Sequence, residues 1–384
     1  MSRPVLVVSH EASRTGAPRV AVEVLHALEA AELRCVAVLR WPGPMAGEFA
    51  AAADSVRLEP LRRVRALLRR WPRTRRVADV VEQVVAGAVL LRYRPRLVYL
   101  NTVKSACYVR PALLLRRPVV LHVHESEPDA SQVLRRYRLG PHYAAVRLVA
   151  CSTEVGASLS AATGVPVERI TVIPSMVDTE RIGALAGRSD AAGHAPAGSA
   201  PVVIGACGLA NAGKGVDQWL EVARLVVDRA VELDLDVEFV WVGRQDLHGL
   251  ADMVRRLGLD GTVRFTGELA NPYPVLSRFD VFTHPARQDS FPLVVLEAMT
   301  LARPVVAFDV GGLRGQLGDA GVVVPAGDVA AMAEAVLSLA GDRAARRALG
   351  ERAAARATAQ FSISSLHDAV RGMVLGLLDP SPHR

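Results

Sequence analysis

A lysine flanked by glycines is the first candidate for chemistry in this sequence. An apolar run at residues 202–207 leads into Gly208, Gly213, Lys214 and Gly215, after which a helical pattern begins. Glycines let backbone amides approach an anion closely, and the positive end of a helix dipole favours negative charge. The segment therefore predicts a phosphate-binding loop. Its spacing is not that of a Walker P-loop, and no Ser or Thr follows the lysine.

Lys214 is one of only two lysines in the chain. The other is Lys104, so 44 of the 46 basic residues are arginines, a skew typical of a GC-rich genome. A lysine retained against that background favours a position that needs a compact ammonium group. The alternative, an exposed lysine at a helix start with no ligand, stays open.

Two carboxylates eight positions apart, Asp289 and Glu297, form the second candidate. Glu297 lies inside an otherwise apolar run at residues 293–299. A carboxylate in such a run must be paired, or must accept hydrogen bonds from an incoming ligand. A ribose diol is a suitable partner because one carboxylate can accept from both hydroxyls, whereas an ion pair with an arginine is the structural alternative.

Two further candidates follow apolar runs in the first half of the chain. Gly16 lies in a small-residue loop, where a glycine is commonly only a turn residue. His122 and His124 fall on one face of a predicted strand and Glu125 on the other, since side chains alternate along a strand. No third convergent ligand is evident, so we expect a polar strand end and no bound metal.

Short apolar runs alternate with helical patterns along the whole chain and predict an α/β fold. Most runs are continuous, which is typical of parallel strands buried on both faces. The predicted strands are residues 5–8, 35–39, 97–100, 119–123, 148–151, 170–173, 202–207, 237–242, 263–266, 281–283, 305–308 and 322–324.

A segment rich in Gly, Ala and Pro divides this pattern nearly in half. It predicts a linker at residues 183–200 between an N-terminal domain, residues 1–182, and a C-terminal domain, residues 201–360. We expect two Rossmann-like, doubly wound domains that face a central cleft, with ligands at the carboxyl ends of the strands.

The overall composition of 384 residues is that of an ordinary globular protein, with 51% apolar and 22% charged residues. No uninterrupted apolar stretch reaches the length of a membrane span, and the N-terminus predicts a strand instead of a signal peptide. Four cysteines without metal or disulfide spacing predict free thiols in a reducing cytosol. We therefore expect a cytoplasmic protein.

Residues 62–76 contain eight arginines and an apolar stripe at spacings of three and four. One interpretation is a solvated amphipathic helix. The other is a basic face that binds an anionic membrane surface, which would make the protein peripheral at the inner face of the membrane. Nucleic acid is not expected as a partner, because aromatics make up 5% of the chain and none interleave with these arginines.

Together these segments resemble retaining glycosyltransferases of the GT-B fold, family 4. The resemblance covers nearly the whole chain. Its most specific mark is the pair Asp289 and Glu297 within Asp-Ser-Phe-Pro-Leu-Val-Val-Leu-Glu-Ala-Met, and the glycine-rich segment with Lys214 matches the phosphate-binding loop of the family.

The resemblance implies metal-independent transfer, without a cofactor, from a UDP- or GDP-sugar held mainly by the C-terminal domain. The acceptor, on the side of the N-terminal domain, would be a glycan, a lipid-linked precursor or a natural product. The final segment, residues 361–384, is expected to cross back to the N-terminal domain.

The resemblance also implies roles for individual residues. Lys214 would contact the diphosphate and Glu297 the ribose. Asp289 would face the sugar hydroxyls, and His124 would lie beside the reacting sugar. The implied catalytic residues are His124 and Asp289, and the implied donor-binding residues are Gly16, Gly208, Lys214, Gly243, Ser290, Phe291, Leu293 and Glu297.

Three positions depart from the family pattern. Leu209 replaces the usual arginine, Asp289 is one methylene shorter than the commoner glutamate, and Pro292 stands where glycine is frequent. Arg244 or Arg287 could supply the missing positive charge. These departures keep alternatives open: a GT-B epimerase or phosphorylase, or a degenerate protein that binds sugar nucleotides without turnover.

Overall fold

The structure of the chain is a computed structural model that describes residues 3–125, 129–137, 140–187 and 200–379. The chain divides into two compact units. Unit 1 comprises Met1–Ser175 with Ile363–Arg384, and unit 2 comprises Met176–Ser362. Each unit is built around its own parallel β-sheet.

Unit 1 contains a seven-stranded sheet in its described part, with strand order β3-β2-β1-β4-β5-β6-β7. The strands are β1 (Val5–Ser9), β2 (Cys35–Leu39), β3 (Ser55–Leu58), β4 (Leu97–Asn101), β5 (Val119–Val123), β6 (Arg147–Ala150) and β7 (Thr171–Val172). Its helices before residue 176 are α1 (Gly16–Glu29), α2 (Ala46–Ala52), α3 (Arg62–Arg69), α4 (Arg75–Tyr93), α5 (Val109–Leu114), α6 (Asp129–Arg136) and α7 (Thr153–Thr163). Short 3-10 helices span Pro72–Thr74, Val103–Tyr108, Gly140–Ala145 and Val167–Arg169.

The central strands of unit 1 confirm the sequence pattern. Every residue of β1, β2, β4 and β5 is buried, as continuous apolar runs require when helices cover both faces of a sheet. Strand β3 was not predicted. It lies at the sheet edge with Arg57 and Leu58 exposed, so its sequence lacks the apolar run on which the other predictions depend.

Unit 2 contains a six-stranded sheet in its described part, with order β10-β9-β8-β11-β12-β13. The strands are β8 (Val202–Cys207), β9 (Val237–Val242), β10 (Val263–Gly267), β11 (Val281–His284), β12 (Val305–Phe308) and β13 (Val322–Val324). The helices are α8 (Thr179–Ala186), α9 (Val216–Glu232), α10 (Leu250–Arg256), α11 (Tyr273–Leu276), α12 (Leu293–Thr300), α13 (Leu313–Leu317), α14 (Val329–Gly341) and α15 (Arg343–Gln360), and the chain then returns to unit 1 in α16 (Ile363–Leu378).

The boundary between the units lies at residue 175 instead of the predicted residue 182. Residues 183–186 belong to α8, which packs on α11 and α12 and buries Ile182, so the predicted linker begins too early. Its central part, residues 188–199, lies outside the described residues, as do residues 380–384 of the predicted C-terminal segment. Helix α16 packs on α1 of unit 1, and Phe361 and Ser362 stay with unit 2.

Residues 62–76 do not form one continuous helix. Helix α3 ends at Arg69, the 3-10 turn Pro72–Thr74 follows, and α4 begins at Arg75. The turn redirects the chain so that Arg69 reaches acidic side chains of α4. Among the described residues, no helix is long and apolar enough to cross a membrane.

Candidate functional site

The carboxyl ends of β8 and β11 form the natural ligand position in unit 2. These two strands are neighbours, and the strand order reverses direction between them. In such sheets the loops that follow the two central strands diverge and leave a crevice for a ligand. The phosphate-binding loop predicted after residue 207 and the loop that carries Asp289 therefore meet at this edge.

Close backbone packing fixes the start of the predicted phosphate-binding loop. The Gly208 amide donates to the Val242 carbonyl over 2.9 Å, and the indole of Trp241 donates to the Gly208 carbonyl over 2.8 Å. Gly243 adopts φ +140°, and a Cβ there would overlap the Gly208 carbonyl oxygen. Glycine is thus required at position 243 because the two strand ends touch.

The part of the loop around Lys214 is held by side chains on both sides. Asn211 accepts from the Lys214 amide over 2.9 Å. Gly215, at φ +71°, lies so close to the Pro285 carbonyl that a Cβ would overlap it. Arg287 donates to the Ala212 carbonyl over 2.7 Å and forms two 2.7 Å hydrogen bonds with Asp217, so it shapes this loop.

Lys214 and Asp289 form a direct ion pair, although they are 75 positions apart in the chain. His284, at the end of β11, places its Nε2 atom 3.2 Å from the same carboxylate. Burial would raise the pKa of Asp289, but the Lys214 ammonium and His284 outweigh burial and lower it. Burial lowers the pKa of His284, so a neutral imidazole and an ionised carboxylate stand beside the cation near pH 7.

The residues after Asp289 lead into α12 and are fixed by packing. The Ser290 carbonyl accepts from the Gly312 amide over 2.9 Å. The Phe291 ring packs edge-on against Phe361 at 5.6 Å between centroids. Leu293 is the first residue of α12, where the first amides lack an acceptor four residues earlier in the helix, although the Val295 amide donates to the Pro292 carbonyl over 3.2 Å. The segment can therefore present backbone N–H groups to an anion or a sugar.

Glu297 lies on the buried side of α12, with 3% of its surface exposed. The hydroxyl of Tyr273 donates to Glu297 Oε1 over 3.2 Å. Tyr273 is the first residue of α11, which the sequence analysis did not identify as part of the site. It orients the carboxylate.

In unit 1, Asn101 connects two of the predicted residues. His124 follows β5, and its Nε2 atom lies 3.0 Å from Asn101 Oδ1. The Asn101 amide nitrogen donates to the Ala17 carbonyl over 2.7 Å, in the first turn of the helix that Gly16 begins. This bond fixes the amide orientation, so His124 carries its proton on Nε2 and leaves Nδ1 as an acceptor.

His122 in β5 and His124, which follows this strand, are both neutral near pH 7. Burial, with help from His122 and His10, holds the pKa of His124 well below its usual range. Burial lowers the pKa of His122 to about 4, and its Nδ1 atom lies 2.8 Å from the Tyr99 hydroxyl. The rings of His122 and His124 are 4.1 Å apart, on one face as predicted. Among the residues with described coordinates, no group of three or more metal-ligating side chains converges.

The sequence analysis missed Asn101, His284 and Tyr273. The first two lie at strand ends, and a polar residue that closes an apolar run at the carboxyl edge of a sheet is a usable signal. Tyr273 carries no such signal, because its role depends on the packing of α11 beside α12.

Two family models match the chain. The model described as Glycosyltransferase Family 4 matches residues 14–181, and the model described as Glycosyl transferases group 1 matches residues 200–342. The first match lies almost entirely in unit 1 and the second lies in unit 2.

Curated relatives match over part of their length. An alpha-D-kanosaminyltransferase from Streptomyces kanamyceticus is 32% identical over 181 residues, which is 45% of each chain. A D-inositol 3-phosphate glycosyltransferase from Kribbella flavida is 29% identical over 251 residues, or 60% of this chain and 58% of the relative. The matched part thus spans about half the length of these relatives.

The fold matches a solved structure over nearly its full length. Anabaena Alr3699/HepE in complex with UDP-glucose superimposes with a TM-score of 0.74 and 19% identity, over 97% of this chain and 99% of that chain. At this level of identity the likeness shows the fold alone. Both proteins consist of two Rossmann-like units, each built on a parallel sheet.

Proposed function

Because the chain belongs to the family 4 glycosyltransferases of the GT-B fold, we propose that it transfers a sugar, with retention, from a nucleotide-sugar donor to an acceptor hydroxyl. The Lys214–Asp289 ion pair at the carboxyl edge of the unit 2 sheet carries this proposal. It joins a cation suited to a diphosphate to a carboxylate suited to sugar hydroxyls, next to a helix N-terminus.

The proposed reaction breaks the bond between the anomeric carbon and the donor phosphate. The electron pair leaves with the nucleoside diphosphate, and the acceptor oxygen forms the new bond on the same face. The acceptor proton passes to the leaving phosphate. Lys214 and the start of α9 stabilise the charge that develops on the diphosphate, which lowers the barrier without requiring a metal ion.

We assign the remaining residues by their positions. Gly208, Gly243 and the amides of Ser290, Phe291 and Leu293 line the donor, while Glu297, oriented by Tyr273, accepts from the ribose hydroxyls. Asp289 accepts from hydroxyls of the transferred sugar. In unit 1, Gly16 allows the backbone of its loop to approach the phosphate or sugar of the donor closely. The neutral His124 accepts a hydrogen bond from a sugar hydroxyl at Nδ1.

The first experiment is calorimetric titration with UDP, GDP and their glucose conjugates, with and without EDTA. A UDP-sugar is the first choice because HepE, the structural neighbour, holds UDP-glucose. We expect one nucleotide to bind in a chelator-insensitive way, and Lys214→Ala to weaken that binding about tenfold or more. Lys104→Ala is the matched control, since Lys104 lies in unit 1 and should leave nucleotide binding unchanged.

Product analysis separates the proposal from its rivals. Transfer to an added acceptor supports a glycosyltransferase, whereas release of free sugar or a sugar phosphate points to an epimerase or phosphorylase. Nucleotide binding without sugar transfer to any acceptor indicates a degenerate protein, the alternative raised by Leu209 in place of the usual arginine. No binding of any nucleotide contradicts the proposed function.

We also propose that unit 1 binds an anionic membrane surface through residues 61–84. This part of α3, the 3-10 turn and α4 exposes both arginines and large apolar side chains, the combination expected of an interfacial surface. The exposed apolar residues are Leu61, Val64, Leu67, Trp71, Val77, Val80 and Val84, and the exposed arginines are Arg63, Arg70, Arg73, Arg75 and Arg76. In that case the protein works at the cytoplasmic face of a membrane.

Vesicle co-sedimentation tests this surface. Binding should be stronger for equimolar phosphatidylcholine–phosphatidylglycerol vesicles than for phosphatidylcholine alone, and should fall as salt increases. Trp71→Ala should reduce it, while Leu114→Ala, which removes an exposed leucine elsewhere in unit 1, should not. Salt-insensitive vesicle binding, or equal losses of binding in the two variants, would show that these residues form an ordinary solvated surface.

A further inference from the structure

His284 ends β11 with its imidazole buried beside the proposed donor site. The residue is 3% exposed, and its Nε2 atom lies 3.2 Å from Asp289 Oδ2. The side chain of the preceding Thr283 points to the other face of the sheet, where its hydroxyl donates to the Gly205 carbonyl over 2.8 Å and accepts from the Trp219 indole over 2.9 Å. These two bonds fix the end of β11, so the strand sets the position of the histidine ring.

The main chain is also held at both residues of the neighbouring ion pair. The Arg287 amide donates to the carbonyl of Gly213, the residue before Lys214, over 3.0 Å. Gly311, at φ +52°, lies so close to Asp289 that a Cβ would overlap the Asp289 carbonyl oxygen. Because the backbone is fixed on both sides, the side chains of the pair are the parts that can rearrange.

Lys214 and His284 both face Oδ2 of the Asp289 carboxylate. Within the described part of the chain, His284 Nε2 makes no hydrogen bond of acceptable geometry. The imidazole must present an N–H to the carboxylate, because a nitrogen lone pair at that position would repel it. A buried N–H without an aligned acceptor is costly, so His284 is a donor held at hydrogen-bond distance from a carboxylate that is paired with another group.

Binding of a nucleoside diphosphate changes which partner Asp289 needs. Two phosphate groups bring more negative charge than one carboxylate and draw the Lys214 ammonium toward them. Asp289, which is 14% exposed, then requires another donor, because an ionised carboxylate with little water around it is unstable without hydrogen bonds. The His284 N–H already lies within reach, so rotation of the carboxylate is enough to align the two groups.

We propose that His284 is a positioning residue that takes over the Asp289 carboxylate from Lys214 when the nucleoside diphosphate binds. This inference rests on the proposed function. The exchange leaves the ammonium to the diphosphate and keeps Asp289 oriented for the sugar hydroxyls. Burial lowers the pKa of His284, so the ring donates this hydrogen bond as a neutral group and adds no second positive charge beside Lys214.

The test is calorimetric titration of the full chain with UDP and UDP-glucose, or with GDP and GDP-glucose if that is the nucleotide bound. His284→Leu removes the N–H and should weaken UDP binding about fivefold, as expected for the loss of one net hydrogen bond. Binding of UDP-glucose should weaken about twofold or less, because the sugar hydroxyls supply donors to Asp289. His284→Gln is the matched control, since its amide nitrogen donates from nearly the same place and should restore UDP binding.

A double-substitution cycle separates positioning from packing. Asp289→Ala removes the carboxylate, so adding His284→Leu to it should change UDP affinity by less than about twofold. A full loss in that background, equal losses in His284→Leu and His284→Gln, or unchanged UDP binding in His284→Leu would each overturn the inference. In those cases UDP binding by the unsubstituted chain leaves the proposed function intact. Failure of the unsubstituted chain to bind either nucleotide contradicts the proposed function and this inference together.

Discussion

Replacement of Asp289 by asparagine tests the ion pair at the centre of the proposed donor site. The Asp289 carboxylate forms an ion pair with the Lys214 ammonium. A nucleoside diphosphate must compete with Asp289 for that cation. The released carboxylate is 14% exposed and needs new donors, which the hydroxyls of a donor sugar supply and a bare nucleotide does not. Asp289→Asn keeps the size of the side chain and removes its charge.

The expected change follows from the strength and exposure of this pair. Charge-assisted hydrogen bonds contribute about 1.5–3 kcal/mol, but Lys214 is 35% exposed and solvent screens the pair. We therefore take about 1 kcal/mol, which corresponds to about fivefold in affinity. Asp289→Asn should bind the bare nucleoside diphosphate about fivefold more tightly and lose most of the preference for the nucleotide sugar. Transfer should fall about a hundredfold or more, since a contact to the reacting sugar is lost.

The assay is paired calorimetry with nucleotide and nucleotide sugar, followed by measurement of kcat on the same preparations. Asp228→Asn is the matched control, because it alters an ion pair with Arg224 on the exposed side of α9. Weaker nucleotide binding in Asp289→Asn would show that Asp289 supports Lys214 instead of competing for it. Unchanged transfer would remove Asp289 from the sugar site.

Three other substitutions test separate parts of the structure. Glu297→Gln should weaken binding of the bare nucleotide about tenfold by calorimetry, and a change confined to sugar selectivity would refute the ribose assignment. Asn101→Leu releases the ring of His124 and should lower kcat with little change in nucleotide affinity, whereas a loss of affinity alone would contradict the positioning role. Glu82→Gln breaks the buried ion pairs of Glu82 with Arg40 and Arg69 and should lower the unfolding free energy by about 3 kcal/mol. Thermal unfolding should then show a fall of about 6–12 °C in Tm. Burial would raise the pKa of Glu82, but the arginines and Tyr137 outweigh it and lower the pKa. The contribution of Glu82 is therefore present above its unfolded pKa and lost as pH falls, so a Tm difference that persists unchanged at acidic pH would refute the assignment.

The sequence by itself determined the strands that carry the site. Runs such as residues 5–8 and 305–308 are apolar throughout because both faces of a central parallel strand are buried, and this pattern needs no knowledge of the neighbours. The glycine-rich loop and the position of Glu297 within an apolar helix could also be predicted from short segments of the sequence. Each local requirement leaves its mark on a few consecutive residues.

The tertiary structure alone decided which of these residues contact each other. Lys214 meets Asp289 because β8 and β11 are neighbours in the sheet, and Asn101 meets His124 because β4 and β5 are neighbours. Glu82 likewise pairs with Arg40 and Arg69, which come from separate segments of the chain. Strand order and helix packing depend on the burial of the whole chain, so no short segment of sequence records them.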